Sequence, residues 1–373
     1  MSAGPAHRPP FRADHVGSLL RPADLLAARE RAAKGEIGRA ELRAAEDRAI
    51  RAAVKLQEDV GLEGVTDGEY RRTYFHVDFL EQLDGVTVTQ GTYNIKFRGH
   101  GRDVDFSPPV MAVTGRLARR RPIAGADFDF LKAATGRTPK LCLPSPSMLH
   151  FRGGRAAIDK TAYPDIDAFF ADLARVYREE IADLGRRGLT YLQLDDTNLA
   201  YLCDPQHRER ARSIGEDPDA LPHAYARLIN EAIRDRPAGM TVCIHLCRGN
   251  FRSAWAAEGA YDPVAEVLFN ETQVDGFFLE YDDARSGGFA PLRFVPKGKT
   301  VVLGLITSKR AALEPPDLLK RRITEATRYL PLDQLALSPQ CGFSSTVHGN
   351  EMSEADEIAK LGLTVNVARE VWG

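Results

Sequence analysis

The sequence is short of several things, and each shortage excludes a class. No apolar run reaches the roughly 18–20 residues needed to cross a bilayer. The opening stretch MSAGPAHRPP has no apolar core, so it does not read as a secretory signal. The formal charge is only −2. Nucleic-acid binding, which favours a strongly basic domain, is therefore not indicated. Only five cysteines occur in 373 residues, an odd number widely spaced. That argues against a disulfide framework and for a reducing cytoplasmic setting, where thiols serve metals or catalysis. No G-x-G-x-x-G follows the first apolar run, so dinucleotide binding is weakly supported. There is no repeat of fixed period and no low-complexity tract. Homo-oligomerisation is left open.

What is present is a rhythm. Eight apolar runs read as strands, each ending in a polar or turn-forming cluster: 13–20, 62–70, 139–147, 189–198, 241–250, 274–283, 300–309 and 332–342. Helical patterns, with apolar residues three or four apart, cover 38–59, 166–187, 222–235, 311–329 and 353–370. Alternation of strand and helix implies a parallel sheet, and eight units imply a single (β/α)8 TIM barrel over 1–373. Residues 84–138 break the rhythm. VTVTQGTYNIKF (86–97) and PPVMAVTGRL (108–117) alternate apolar and polar positions near turn glycines. They read as an inserted β-hairpin region after the second strand, at the barrel mouth. The run ARRR at 118–121 reads as a solvated hairpin edge, with an anionic tail as the alternative.

Catalytic residues of such barrels come from the C-terminal ends of different strands. Here those ends offer Gly17-Ser18, Asp67-Gly68-Glu69, Asp195-Asp196, His245 with Cys247, Glu280, Thr307-Ser308 and Cys341. The stretch TVCIHLCRGN (241–250) places Cys243, His245 and Cys247 on one strand face. Cys341 can add a second thiolate across the mouth and Glu280 a carboxylate. His, Cys and Glu are all zinc ligands, and two thiolates favour zinc over magnesium or calcium. Taken one at a time these residues have plain structural readings. Cys142, Cys203 and Cys243 are expected to be structural. Two thiolates and an imidazole leave zinc a mild Lewis acid. Such a metal suits ionising a substrate thiol, which is mostly protonated at neutral pH, better than activating water. The reaction this implies is S-alkylation.

The motifs DHVGSLLRP, TDGEYRR, LQLDD, HLCRGN, FFLEYDD and SPQCG, in that order, resemble those of cobalamin-independent methionine synthase. The likeness is to its catalytic C-terminal barrel and spans nearly the whole chain. It implies a Zn2+ held by His245, Cys247, Cys341 and Glu280. It implies homocysteine held by Gly17 and Ser18, with Glu69 and Asp195 pairing its ammonium, a methyl donor such as 5-methyltetrahydrofolate, and methionine as product. Glu69, Asp195 and Thr307 are the expected catalytic positions. Thr307 stands where the family has a histidine that assists the departing folate, and a hydroxyl is a poor acid near neutral pH. His15, His76 and His348 are the alternatives for that role. Two other functions stay open. One is an epoxyalkane:coenzyme M transferase-like reaction, with Arg71 and Arg72 suited to a sulfonate. The other is a metal-free lyase like uroporphyrinogen decarboxylase. A binding barrel without chemistry is the last.

Overall fold

A computed structural model describes residues 8–89, 91, 94–99 and 103–373. Most of the opening stretch and residues 90, 92 and 93 of the first inserted segment therefore lie outside the described residues. The strands, in chain order, are β1 (Gly64–Val65), β2 (Asp84–Thr89), β3 (Ile95–Phe97), β4 (Val104–Phe106), β5 (Val110–Ala118), β6 (Thr138–Pro144), β7 (Tyr191–Asp196), β8 (Thr241–Leu246), β9 (Gly276–Glu280), β10 (Thr300–Ile306) and β11 (Leu335–Pro339). Seven form one curled parallel sheet in the order β1-β6-β7-β8-β9-β10-β11. The remaining four pair antiparallel in two small sheets, β2 with β5 and β3 with β4.

The first apolar run, 13–20, is not a strand. Only Ala13 bridges to the sheet, in parallel with Leu337 of β11. The Asp14 carboxylate accepts the amides of Phe11 and His15, and Gly17 takes a φ of +138°, so the chain turns instead of extending. The segment still fills the eighth place of the barrel. Asp14 N–H donates to Leu337 O at 3.0 Å, and on the other side Thr66 Oγ1 donates to Gly17 O at 2.6 Å. The second run shrinks to Gly64–Val65 because TDGEY is a turn, with Gly68 and Glu69 both at positive φ.

The helices follow their sequence signals. Ile166–Arg187 starts at Asp165, whose side chain accepts the Asp167 amide, and stops at Gly188 with φ +98°. Its inner face buries Phe169, Leu173, Tyr177, Ile181 and Leu184 against the sheet. Each such side chain contributes roughly 1.5–3 kcal/mol of burial. Helix Glu354–Trp372 begins with a capping box between Ser353 and Asp356. Among the described residues no helix is long and apolar enough to cross a membrane.

Strand alternation fills the barrel interior with Tyr191, Cys243, Phe278, Val302 and Ala336. Cys243 is completely buried there, and a Cβ on Gly276 would lie 2.9 Å from its sulfur, so little more than a thiol fits. Beneath them the Lys140 ammonium pairs with Asp14 Oδ1 at 3.0 Å, both side chains fully buried. One turn of the pleat higher, the same strand faces carry Asp195 and His245, which are register partners across β7 and β8.

Candidate functional site

Four side chains of different strands converge at the C-terminal end of the sheet. His245 comes from the end of β8, Cys247 from just past it, Glu280 from the end of β9 and Cys341 from just past β11. Their ligand atoms all lie within 4.8 Å of one another, and all four residues are buried. The sulfurs of Cys247 and Cys341 are 3.4 Å apart. Two sulfurs 2.3 Å from a tetrahedral zinc stand about 3.8 Å apart, so the pair needs to part by only a few tenths of an ångström to grip such an ion. His245 Nδ1 faces Asp195 Oδ1 at 3.4 Å, while its buried Nε2 has no hydrogen-bond partner. A carboxylate behind one ring nitrogen and an unpartnered nitrogen in front is the usual setting of a ligating histidine. The donor set therefore fits a soft divalent metal, zinc above all.

Protons are shared unequally among the four groups. Burial opposes charge on His245, but the Asp195 carboxylate and the neighbouring Cys341 sulfur outweigh it and push its pKa up to about 10. The Cys341 thiol is held well below its ordinary value by the Cys247 thiol and by His245. Its partner Cys247 is pushed up, chiefly by the sulfur–sulfur hydrogen bond and by burial. For Glu280, burial favours the neutral form, yet Lys309 and Arg285 hold the carboxyl below the usual range. Glu280 Oε1 accepts the Arg248 amide at 2.8 Å and Oε2 meets Arg285 Nη2 at 3.1 Å. Sequence reasoning missed Arg248, Arg285 and Lys309, whose Nζ is buried without a hydrogen-bond partner. A buried cation so soon after an apolar strand was the signal available.

Beside this quartet sits a second polar group. Glu69 and Asp195 approach each other and Cys142, again with ligand atoms within 4.8 Å. Glu69 has φ +60°, a conformation that costs a non-glycine residue free energy and marks functional turns. Burial first, with Asp195 and Asp67 adding, pushes its pKa up to about 7 against Arg72, whose Nη2 lies 3.2 Å from Oε1. Gly17 permits the packing, since a Cβ there would lie 2.7 Å from Cys142 Sγ and 2.9 Å from Glu69 Oε1. Ser18 Oγ accepts the Ser344 amide at 3.4 Å and stands over Gly342, where a Cβ would come within 1.9 Å of it.

Both groups open into one cleft. Its floor is Ser18, Glu69, Asp195, His245, Cys247 and Cys341; its walls are mainly aromatic. Phe97 and Phe106 come from the small β3–β4 sheet and Phe251 from the loop after β8, with Phe106 stacked on Phe251 at 4.1 Å. Thr307 is buried but does not line this cleft: its amide donates to Glu314 and its hydroxyl accepts from Lys309 N–H. Its placement among the catalytic positions is not supported by this geometry, because the chain turns it towards its own loop. His15 Nε2 faces Gly64 O at 3.2 Å at the barrel seam, and His348 packs edge-on against Phe251 behind the wall. His76, by contrast, lines the cleft. Arg71 pairs with Asp47 and Arg72 with Glu69, and neither arginine lines the cleft. In the 118–121 run, Arg119 pairs with the buried Glu180 and the exposed Arg120 with Asp84.

Comparison with known proteins agrees with the motif order. Residues 11–370 match the family model described as cobalamin-independent synthase, catalytic domain. The uncharacterized protein YxjH of Bacillus subtilis (strain 168) is 47% identical over 365 residues, covering 97% of this chain and 95% of that protein. A 5-methyltetrahydropteroyltriglutamate–homocysteine methyltransferase of Acidiphilium cryptum is 28% identical over 342 residues, 90% of this chain but 40% of that protein. Among solved structures, a Listeria monocytogenes protein provisionally named a vitamin-B12-independent methionine synthase is 37% identical, with all of both chains covered and a TM-score of 0.78. A B12-independent methionine synthase from Shewanella, 19% identical with TM-score 0.70, shares the barrel fold. The chain thus belongs to the cobalamin-independent synthase family and carries its catalytic domain.

Proposed function

We propose that this methyltransferase alkylates the sulfur of homocysteine, giving methionine, with 5-methyltetrahydrofolate as the first donor to test. The observation that carries the reading is the juxtaposition of two groups on one cleft floor. A soft-ligand quartet stands next to an acidic pair. His245, Cys247 and Cys341 would hold the metal, with Glu280 as the fourth ligand. A zinc ion there supplies a Lewis acid that lets a thiol reach the reaction ionised at neutral pH.

The chain's own residues do the rest. Glu69 and Asp195 accept charge-assisted hydrogen bonds from the amino acid's ammonium. Ser18 meets its carboxylate. Asp195 also orients the His245 ring through Nδ1. The aromatic walls exclude water from the reacting sulfur. Five free, buried cysteines fit a reducing cytoplasm. The sulfonate reading loses its two arginines, and a sulfonate on this floor would meet the acids instead.

The test is metal content and proton release. Wild type should carry about one zinc per chain and release a proton near neutral pH on adding homocysteine. Cys341→Ala should lose both. Active wild-type protein without zinc would overturn the reading. Stronger binding of 2-mercaptoethanesulfonate than of homocysteine would favour the coenzyme M alternative.

A further inference from the structure

An alkylation site built on thiolates must keep its own sulfurs from being alkylated. Cys247 and Cys341 line the cleft that an alkyl donor has to enter, with their sulfurs 3.4 Å apart. As metal ligands both are thiolates, and a thiolate is a nucleophile in its own right. The two sulfurs differ in their surroundings. Ser345 Oγ lies 3.6 Å from Cys341 Sγ, within reach of a hydrogen bond to sulfur. Among the described residues, Cys247 Sγ has no hydroxyl beside it, and its hydrogen-bond contact is the other sulfur.

The direction of the Ser345 contact is set by its neighbours. A thiolate can only accept, so the hydroxyl is the donor. Asn250 Nδ2 donates to Gly342 O at 2.8 Å, which fixes the orientation of that amide. The same nitrogen stands 3.4 Å from Ser345 Oγ. Its second N–H meets a lone pair of the hydroxyl oxygen and leaves the hydroxyl proton for the sulfur. Asn250 and Ser345 both line the cleft with Cys341. A charge-assisted hydrogen bond to an anionic sulfur holds back the electron pair that would attack carbon. Groups behind a metal ligand tune its basicity in this way.

We propose that Ser345 is a positioning residue that withholds the Cys341 sulfur from the alkyl donor, with Asn250 orienting its hydroxyl. The proposal rests on the thiol-alkylation reading above and deepens it. The side reaction it suppresses needs no reagent beyond the donor. The Cys341 electron pair forms a sulfur–carbon bond. The bond from carbon to the leaving group breaks, and its pair departs with that group. No proton moves. The thiolate becomes a neutral thioether, which no longer supplies the charge that holds zinc. Cys247 has no such guard and is 9% exposed against 1% for Cys341, so a misdirected alkyl group reaches Cys247 first.

The experiment exposes the zinc-loaded enzyme, with no homocysteine present, to iodomethane. Peptide mass spectrometry then compares methylation of Cys341 with methylation of Cys247. Wild type should favour Cys247. Ser345→Ala should raise the ratio of Cys341 to Cys247 methylation roughly tenfold, the scale of one lost hydrogen bond to a charged group. Zinc release should follow methylation of Cys341 in that variant. Ser345→Thr keeps the hydroxyl and should keep the wild-type ratio. A general loosening of the site exposes both sulfurs together, so the ratio separates a guarding hydroxyl from a merely structural one. A wild type that favours Cys341, no gain at Cys341 relative to Cys247 in Ser345→Ala, or an equal gain in Ser345→Thr overturns the assignment of Ser345. A wild type that binds no zinc overturns the thiol reading itself, and this assignment with it.

Discussion

Cys247 Sγ and Cys341 Sγ lie 3.4 Å apart across the barrel mouth, although 94 residues separate them in the chain. β8 and β11 are not neighbours in the sheet, so the contact exists only because the sheet curls. Glu280 approaches the same point but is already held by the Arg248 amide and by Arg285. The ligands therefore differ in weight. Cys247→Ala should abolish stoichiometric zinc. Glu280→Gln should keep the stoichiometry at saturating metal and lower the affinity about 10–100-fold, the range found when a supporting carboxylate is removed. Competition with a chromophoric chelator measures both. Equal loss in the two variants would make Glu280 an indispensable ligand.

Glu69 carries a pH dependence. Burial pushes its pKa up to about 7, so as pH falls through that value it takes up a proton and loses its charge. An ammonium facing Glu69 and Asp195 then keeps one negative partner instead of two. Methionine binding should weaken as pH falls from about 8 to 6. Methionine is the right probe because it has no thiol to titrate. Glu69→Gln should bind weakly at both pH values. Calorimetric titration of methionine checks this, and a pH-independent wild type would show that Glu69 does not face the ammonium.

Much of this was legible beforehand, for identifiable reasons. β6 to β11 were readable as apolar runs because strands buried on both faces have no polar alternation to confuse. His245, Cys247 and Cys341 stood out because soft ligands are unusual where Val or Leu would pack. The run 13–20 misled because its composition is strand-like, while Asp14 and Gly17 bend it through contacts no pattern displays. His76 stood out only as one of three candidate histidines and Lys309 not at all, for a different reason. Each becomes unusual only through burial without a partner, which depends on tertiary packing.

The Lys140–Asp14 pair should dominate local stability. Both side chains are fully buried at 3.0 Å, and Asp14 also accepts from Tyr191 Oη–H at 2.7 Å. Lys140→Met removes one charge and leaves the other uncompensated. Such a break typically costs about 3–5 kcal/mol, more than the pair is worth against an apolar replacement of both. The double variant Lys140→Met/Asp14→Asn should recover part of the loss. Urea unfolding of the three proteins provides the comparison, and a single variant as stable as wild type would show that the pair carries no net weight in the fold.

Glu357, near the start of helix Glu354–Trp372, sets the sign of another pH effect. Burial, with Glu354 adding, pushes its carboxyl up to about 8, and its Oε2 accepts the Leu20 amide. The folded state then binds a proton that the unfolded state has released above about 4.3. Stability is fullest below that value and falls as pH rises towards 8, at no more than about 1.4 kcal/mol per pH unit. Glu357→Gln should flatten this slope and leave the protein relatively more stable at pH 8. Thermal unfolding from pH 5 to 8 reads it, and an unchanged slope in the variant would place the titration elsewhere.

Gly342 tests whether Ser18 shapes the amino-acid subsite. A Cβ at residue 342 would fall 1.9 Å from Ser18 Oγ, well inside any real contact. The local backbone cannot easily yield, because the Gly342 carbonyl accepts from Asn250 Nδ2 at 2.8 Å and from Ser308 Oγ at 3.1 Å. Ser18 is held too, since its carbonyl accepts the Phe343 amide at 2.9 Å. Relief must come from rotation of the Ser18 hydroxyl away from the cleft floor. Gly342→Ala should therefore weaken methionine binding by about tenfold, the scale of one lost hydrogen bond to a charged group. Ser18→Ala should match it without the clash. If Gly342→Ala binds methionine normally while Ser18→Ala does not, the hydroxyl has another rotamer that serves the ligand equally well, and the glycine is there for the backbone alone.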